Sequence, residues 1–203
     1  MQTPFYQYDL ALLNETLNAA AAQAARYGYT IHYALKANAN PALLKIISGA
    51  GFGADCVSGN EIKVALKNGF KPQGIVFAGV GKTDWEIEYA IEQNIQCIHC
   101  ESVQEFQVIE QIAQKLNKTA SIALRINPNV DANTHKSITT GLKENKFGMS
   151  AEEASLILNS ANKYKNINLV RLHFHIGSQI MNMEVFKNLA LEVNRIQERL
   201  QSK

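Results

Sequence analysis

Apolar positions along the chain follow two alternating patterns. Short runs rich in Ile, Val, Leu, Phe, Ala and Cys cover residues 30–36, 52–57, 74–78, 97–100, 121–126 and 169–176, and they read as strands. Between consecutive runs the apolar residues recur at helical spacing. The Ala- and Leu-rich stretch 10–27 predicts a long helix ahead of the first barrel strand, and a last helix is expected over about 182–201. Several helix starts carry the hydroxyl-x-x-Glu signature, in which a hydroxyl caps the third amide and a carboxylate reaches back: Ser58/Glu61, Thr83/Glu86, Ser102/Glu105 and Ser150/Glu153. Asn40-Pro41 marks another start, with Asn as cap and Pro in the first turn.

Strands that alternate with helices imply a parallel sheet with helical crossovers. An open doubly wound sheet and a closed (β/α)8 barrel of the TIM type compete. The pattern supplies six strand–helix units, whereas a complete barrel takes about 250 residues and eight units. A barrel reading therefore predicts two missing units and a chain that stops after its sixth helix, as a fragment or shortened form. Residues 1–27 would be a lead-in strand and helix, and residues 28–203 the partial barrel domain. The irregular stretch 127–147, about 20 residues long, exceeds a plain connector and points to function.

Composition adds exclusions. The 203 residues are 46% hydrophobic and 19% charged, enough for a sizeable core. A net charge of +2 gives no reason to expect nucleic acid or an anionic membrane as partner. No apolar run approaches the roughly 20 residues that span a bilayer. The N-terminus lacks the pattern of an export signal. With Cys56, Cys97 and Cys100 as the only cysteines, a reduced, cytoplasmic protein is expected. Cys97 and Cys100 form a CxxC match, but i and i+3 on a strand point to opposite faces and no second pair is present. Buried thiols and no metal are the expectation.

Functional groups in either architecture gather at the C-terminal strand ends. Lys36, Asp55, Arg125 and His175 stand there. Alternation places His32, Ala34 and Lys36 on one face. A lysine is costly to bury there unless paired or deprotonated, and a neutral amine condenses with aldehydes. A lysine reaching out to solvent is the equal alternative. His173 and His175 share a face, which fits a divalent metal, stacking of one imidazole on a flat aromatic group, or a satisfied core histidine. Gly177-Ser178 offers backbone amides and a hydroxyl suited to a phosphate. Asp55 reads equally as a turn cap, Glu61 as a helix cap, the 143–146 charges as solvated, and Gly79, Gly81 and Gly148 as turn residues.

Several segments taken together resemble a known family. Tyr33-Ala34-Leu35-Lys36-Ala37-Asn38 resembles the lysine motif of the group III pyridoxal-phosphate decarboxylases, which have an alanine-racemase-like barrel. His175-Ile176-Gly177-Ser178-Gln179 resembles their histidine–glycine–serine motif, and Gly53-Ala54-Asp55-Cys56-Val57-Ser58 with Glu61 their second-strand motif. The loop Thr140-Gly141-Leu142-Lys143-Glu144-Asn145-Lys146-Phe147-Gly148 is most similar to the branch acting on diaminopimelate. The resemblance runs from about Pro4 to the C-terminus.

What the resemblance implies is specific. Lys36 would hold pyridoxal 5'-phosphate covalently, His175 would stack on its ring and Ser178 would bind its phosphate. Lys36 and His175 would be the catalytic pair. Ala34, Asp55 and Arg125 would line the pocket, Glu61 would contribute besides capping, and Lys146 would lie near the active site and the partner subunit. The implied reaction is decarboxylation of meso-2,6-diaminopimelate to L-lysine and CO2, with an amino-acid substrate and a homodimer sharing its active sites. Relatives also carry a Glu-Pro-Gly-Arg segment and a C-terminal β-domain with cysteine and tyrosine site residues. Neither occurs here, so this chain alone is expected to be inactive, and Phe5-Tyr6-Gln7-Tyr8 resembles a strand that joins the absent β-domain. The competing readings are a sister decarboxylase for ornithine, arginine or carboxynorspermidine, a non-catalytic pyridoxal-phosphate carrier barrel, and a barrel metallohydrolase using His173 and His175.

Overall fold

Strand order separates the two architectures. The computed structural model describes residues 3–129, 147–178 and 180–201. Its strands are β1 His32–Ala34, β2 Gly53–Cys56, β3 Ile75–Phe77, β4 Cys97–Cys100, β5 Ala120–Arg125 and β6 Ile167–His173. They lie in the order β1-β2-β3-β4-β5-β6, every neighbouring pair parallel. A doubly wound sheet reverses its order at a switch point. An unbroken sequential order is that of a (β/α)8 barrel, of which six strands lie among the described residues. The helices are α1 Leu10–Tyr27, α2 Pro41–Gly49, α3 Gly59–Lys67, α4 Asp84–Glu92, α5 Val103–Lys115, α6 Ala151–Ser160 and α7 Met183–Gln201. None is long and apolar enough to cross a membrane.

The capping signals act, with one variation. Asn40 Oδ1 accepts from the Ala42 amide at 2.9 Å, beside Pro41 in the first turn of α2. Ser58, Ser102 and Ser150 hydroxyls accept from the amides of Glu61, Glu105 and Glu153. Glu153 closes its box on the Ser150 amide at 2.8 Å. Glu61 and Glu105 reach one residue further back, to the Val57 and Glu101 amides, each at 2.7 Å. Glu86 takes the Thr83 amide and hydroxyl and also the Gly59 amide at 2.8 Å, so one carboxylate joins the starts of α3 and α4.

The sheet separates two environments. Its outer face packs Ala54, Cys56, Ile75, Phe77, Ile98, Cys100, Ile122 and Leu124 under the helices in one apolar core. On the inner face, among the described residues, Val76, Cys97 and Ala123 form a small apolar cluster. Cys97 and Cys100 are thus buried on opposite faces, as strand alternation requires. Burial raises their thiols to about 11 and about 12. Near the N-terminal strand ends, a Cβ on Gly53 would collide with the Gly74 carbonyl and the His32 ring. His32 Nε2 lies 2.8 Å from the Gln96 amide, which in its satisfied orientation also accepts from the Arg171 guanidinium.

β6 contains an irregularity that sets its faces. Ile122 pairs with Leu169 but Ala123 with Arg171, so Val170 is an extra residue. Paired residues share a face, and Val170 therefore turns Arg171 and His173 inward where uninterrupted alternation from Leu169 would turn them outward. His173 stacks on His99 of β4, with ring centroids 4.1 Å apart.

Several elements end earlier than the sequence pattern predicts. β1 stops at Ala34, and Lys36 sits in a 3-10 turn, Leu35–Ala37, rather than in the strand. Leu35, first in that turn, is packed into the outer core at 1% exposure. β6 stops at His173, so His175 belongs to the following segment. Residues 5–8 are no strand: a strand needs a ladder partner, and no described strand pairs with them. Instead Asn38 Nδ2 donates to Tyr8 Oη, and Tyr33 Oη to the Asn38 carbonyl, both at 3.1 Å. Lys146, the rest of 140–146 and Gln179 lie outside the described residues.

The stacked histidines make stability depend on acid. Burial holds both neutral, with His99 lowered to about 3 and His173 to about 2; Lys82 adds at His99, and His99 and Arg125 add at His173. Unfolded, both titrate near about 6.5. Between those values the unfolded chain binds more protons, so the stability present above about 6.5 is lost as pH falls, by about 1.4 kcal/mol per pH unit per histidine. We expect urea midpoints to drop between about pH 6.5 and about pH 5 and His99→Gln to flatten that dependence. An unchanged slope in the variant would contradict the assignment.

Candidate active site

A cavity of about 310 Å³ opens at the C-terminal strand ends. It is lined by Lys36 from the turn after β1, Asp55 from β2 with Val57 beyond it, Ala78-Gly79-Val80 after β3, Arg125 at the end of β5, His173 at the end of β6, and then His175, Ser178 and Phe147. Five residues singled out from sequence, Lys36, Asp55, Arg125, His175 and Ser178, therefore converge on one space. Two others do not line it. Ala34 is paired with Asp55 on the adjacent strand. Glu61 holds the Val57 amide. Lys146 is not among the described residues.

Asp55 is incompletely satisfied. Its Oδ1 is buried and has no hydrogen-bond partner. Burial raises its carboxyl above the ordinary range; the Lys36 and His32 charges oppose that, Glu61 reinforces it and Arg125 opposes it. His175 is pushed the other way: burial first, then Arg125 and Lys36, lowers its imidazole, which favours the neutral ring. Gly177 adopts φ 143°, a conformation that favours glycine, directly before Ser178.

Arg125 is anchored. Its Nη1 donates to both Glu101 oxygens, at 2.6 and 2.9 Å, with both side chains under 10% exposed. Its guanidinium carbon lies 5.5 Å from the centre of the Phe147 ring. Phe147 reaches the cavity because the chain returns to the sheet there. Met149 donates to the Arg125 carbonyl and Asn127 to the Met149 carbonyl, each at 2.9 Å. Gly148, at φ 79°, permits this return, since a Cβ would stand 3.1 Å from the Arg125 oxygen.

Sequence reasoning did not assign Val57, Ala78, Gly79, Val80 or Phe147 to the cavity. Period-two alternation placed His173 on the face of His175 without settling its role, and the Val170 bulge decides its direction. Nothing local marks Glu101 as the partner of Arg125. Among the described residues no group of three or more His, Cys, Asp or Glu is gathered as a metal site would need, which leaves the metallohydrolase reading without further ligands there. Other cavities carry different chemistry. One of about 480 Å³ along β6 is mostly apolar, and one of about 290 Å³ between α6 and α7 is bordered by a Glu152–Arg199 ion pair of 2.9 Å.

The chain is 50% identical to a diaminopimelate decarboxylase of Bacteroides thetaiotaomicron over 204 residues, covering all of this chain and 53% of the relative. A mutant form of diaminopimelate decarboxylase from Helicobacter pylori, solved in complex with L-lysine, superposes with a TM-score of 0.93 at 44% identity, covering 100% of this chain and 51% of that one. An arginine decarboxylase of Paramecium bursaria Chlorella virus bound to agmatine superposes with a TM-score of 0.77 at 25% identity, covering 93% and 49%. The chain thus spans about half the length of the relatives it matches. Residues 10–203 match the family model of the pyridoxal-dependent decarboxylase, pyridoxal binding domain, and the chain belongs to that family.

Proposed function

We propose that this chain is the cofactor-holding half of an enzyme that decarboxylates meso-2,6-diaminopimelate to L-lysine and CO2, a carbon–carbon lyase of lysine biosynthesis. The convergence of Lys36, Asp55, His175 and Ser178 on one cavity carries the reading. The domain division (1–27 lead-in, 28–203 barrel part), a cytoplasmic location and a homodimer with shared sites belong to the same proposal.

The residues present fit pyridoxal 5'-phosphate. The buried, unpartnered Asp55 oxygen offers a free acceptor within a cavity that also holds a primary amine. When bound, the cofactor supplies an aldehyde for an amine and a ring that takes up the electron pair left by departing CO2. Lys36 is the residue that would hold it covalently, exchanging places with the substrate amine. The neutral His175 ring gives a flat surface for its ring, and the Gly177-Ser178 turn a hydroxyl for its phosphate. Arg125, held rigidly by Glu101, keeps a fixed positive charge at the wall beside Phe147. Ala34 and Glu61 support the site from behind, through the β1–β2 ladder and the Val57 amide.

Substrate choice follows similarity. The two diaminopimelate decarboxylases compared above are 50% and 44% identical, against 25% for the arginine decarboxylase. In the complete enzyme we expect lysine release from meso-diaminopimelate and at most trace turnover of ornithine, arginine or carboxynorspermidine. Equal turnover would favour the sister-enzyme reading, and cofactor binding without any turnover the carrier reading.

Cofactor attachment is tested by mixing the chain with pyridoxal phosphate, reducing with borohydride and mapping the adduct by peptide mass spectrometry. A single dominant adduct on Lys36, lost in Lys36→Ala, is expected; labelling scattered over surface lysines would remove the central residue of the proposal.

Asp55→Asn tests the buried carboxylate. Because the folded state holds the Asp55 proton more tightly than the unfolded chain, stability from this group is full below the ordinary carboxylate range of about 3.9 and is lost as pH rises through the raised value. The variant should melt higher at neutral pH, by about 2–4 °C per kcal/mol recovered, and the gain should fade toward about pH 4. Cofactor affinity should fall in the same protein. A lower melting temperature at neutral pH would contradict the electrostatic account.

A further inference from the structure

Lys82 lies outside the cavity, in the connection between β3 and α4, and its side chain is only 1% exposed. A buried ammonium is tolerated when its protons are all bonded. Here Nζ donates to the Gly79 carbonyl at 2.6 Å, the His99 carbonyl at 2.7 Å and Glu105 Oε1 at 2.8 Å, which uses all three.

Each acceptor leads to the site. Gly79 lines the cavity between Ala78 and Val80 at φ 102°, with room for no Cβ closer than 3.2 Å to the Val57 carbonyl. His99 stacks on His173, which lines the cavity from β6. The other oxygen of Glu105 accepts from the Glu101 amide, and Glu101 anchors Arg125 on the opposite wall. Through the two carbonyl bonds one cation fixes the β3 wall against the β4–β6 floor, while Arg125 keeps its own bidentate anchor on the Glu101 carboxylate.

We infer that Lys82 is a positioning residue for the cavity, setting the spacing at which Gly79 and His173 face a bound cofactor; this rests on the proposed pyridoxal-phosphate site. Its own role is indirect, since it touches backbone and carboxylate and not the cavity. The geometry separates it from a residue that only stabilises the fold. Two of its bonds go to the carbonyls of cavity-linked residues, and only the third is an ion pair. Losing the ion pair alone should then cost stability without moving the cavity.

The test compares Lys82→Met with Glu105→Gln, both assayed by pyridoxal-phosphate titration, borohydride labelling at Lys36 and thermal melting. Glu105→Gln keeps an amide oxygen facing Lys82 and leaves the Gly79 and His99 bonds in place. It should lower the melting temperature while the cofactor Kd stays within about twofold of the parent. Lys82→Met should raise that Kd by about tenfold or more, the loss expected for bonds made by a charged donor. If Lys82→Met does not fold, Lys82→Gln keeps a donor of nearly the same reach and should show the same direction. Unchanged Kd in a folded Lys82 variant, or equal Kd loss in Glu105→Gln, would overturn the inference. Failure of the parent chain to label at Lys36 would instead overturn the cofactor-site reading itself.

Discussion

Leu169 faces Ile122 across the β5–β6 ladder and Arg171 faces Ala123, so one residue, Val170, is surplus to the pairing. Side chains alternate with a period of two, and a single inserted residue exchanges the faces of everything after it. Below Val170 the strand contributes Ile167 and Leu169 to the outer core; above it, Leu172 continues that core while Arg171 and His173 point inward. The His99–His173 stack, the polar link from Arg171 to Gln96 and His32, and the entry of His175 into the cavity all follow from that exchange. Val170 itself is 40% exposed, as expected for a residue that belongs to neither ladder register.

An inner face built this way cannot be held by apolar packing, because it offers only Val76, Cys97 and Ala123 as a buried apolar group. Charge pairing takes over. The Lys82–Glu105 and Arg125–Glu101 pairs are linked through the Glu101 amide into one connected set of bonds. Buried pairs of this kind contribute little net stability compared with apolar replacements, but removing one partner leaves an uncompensated charge and is costly. They specify geometry more than they add stability. Such rigidity is what a cavity needs if small errors in placement are to be avoided.

The cavity also retains groups that the fold alone would not select. Asp55 keeps an oxygen without a partner, and both stacked histidines keep an unbonded Nδ1. Each lowers stability in some range of pH, Asp55 above its raised value and the histidines in acid. The apolar layer between sheet and helices, from Leu44 and Ile62 to Ile109 and Leu124, offsets them. Stability resides on the outside of the sheet and reactivity on the inside, with the strands as the boundary.

Much of this was legible in the sequence. The period of apolar residues located all six strands and the long helices, and α1 begins and ends where the pattern predicts. Hydroxyl–carboxylate spacings marked the starts of α3 to α6, because capping is a local interaction between residues three apart. Lys36, Asp55, Arg125 and His175, read from sequence as strand-end residues, and Ser178, read from its glycine turn, line one cavity, because a parallel barrel gathers its strand ends there and strand ends can be read from periodicity. What the sequence could not supply depends on contacts between distant elements. The inward aim of His173 is set by pairing across the β5–β6 ladder, and the partnerships of Lys82 and Arg125 by residues 23 and 24 positions away on other elements. Local spacing determines which elements form and which residues stand at their ends; the facing of each side chain and its charge partner are decided only when strands pair and a low-dielectric interior makes every unsatisfied group costly.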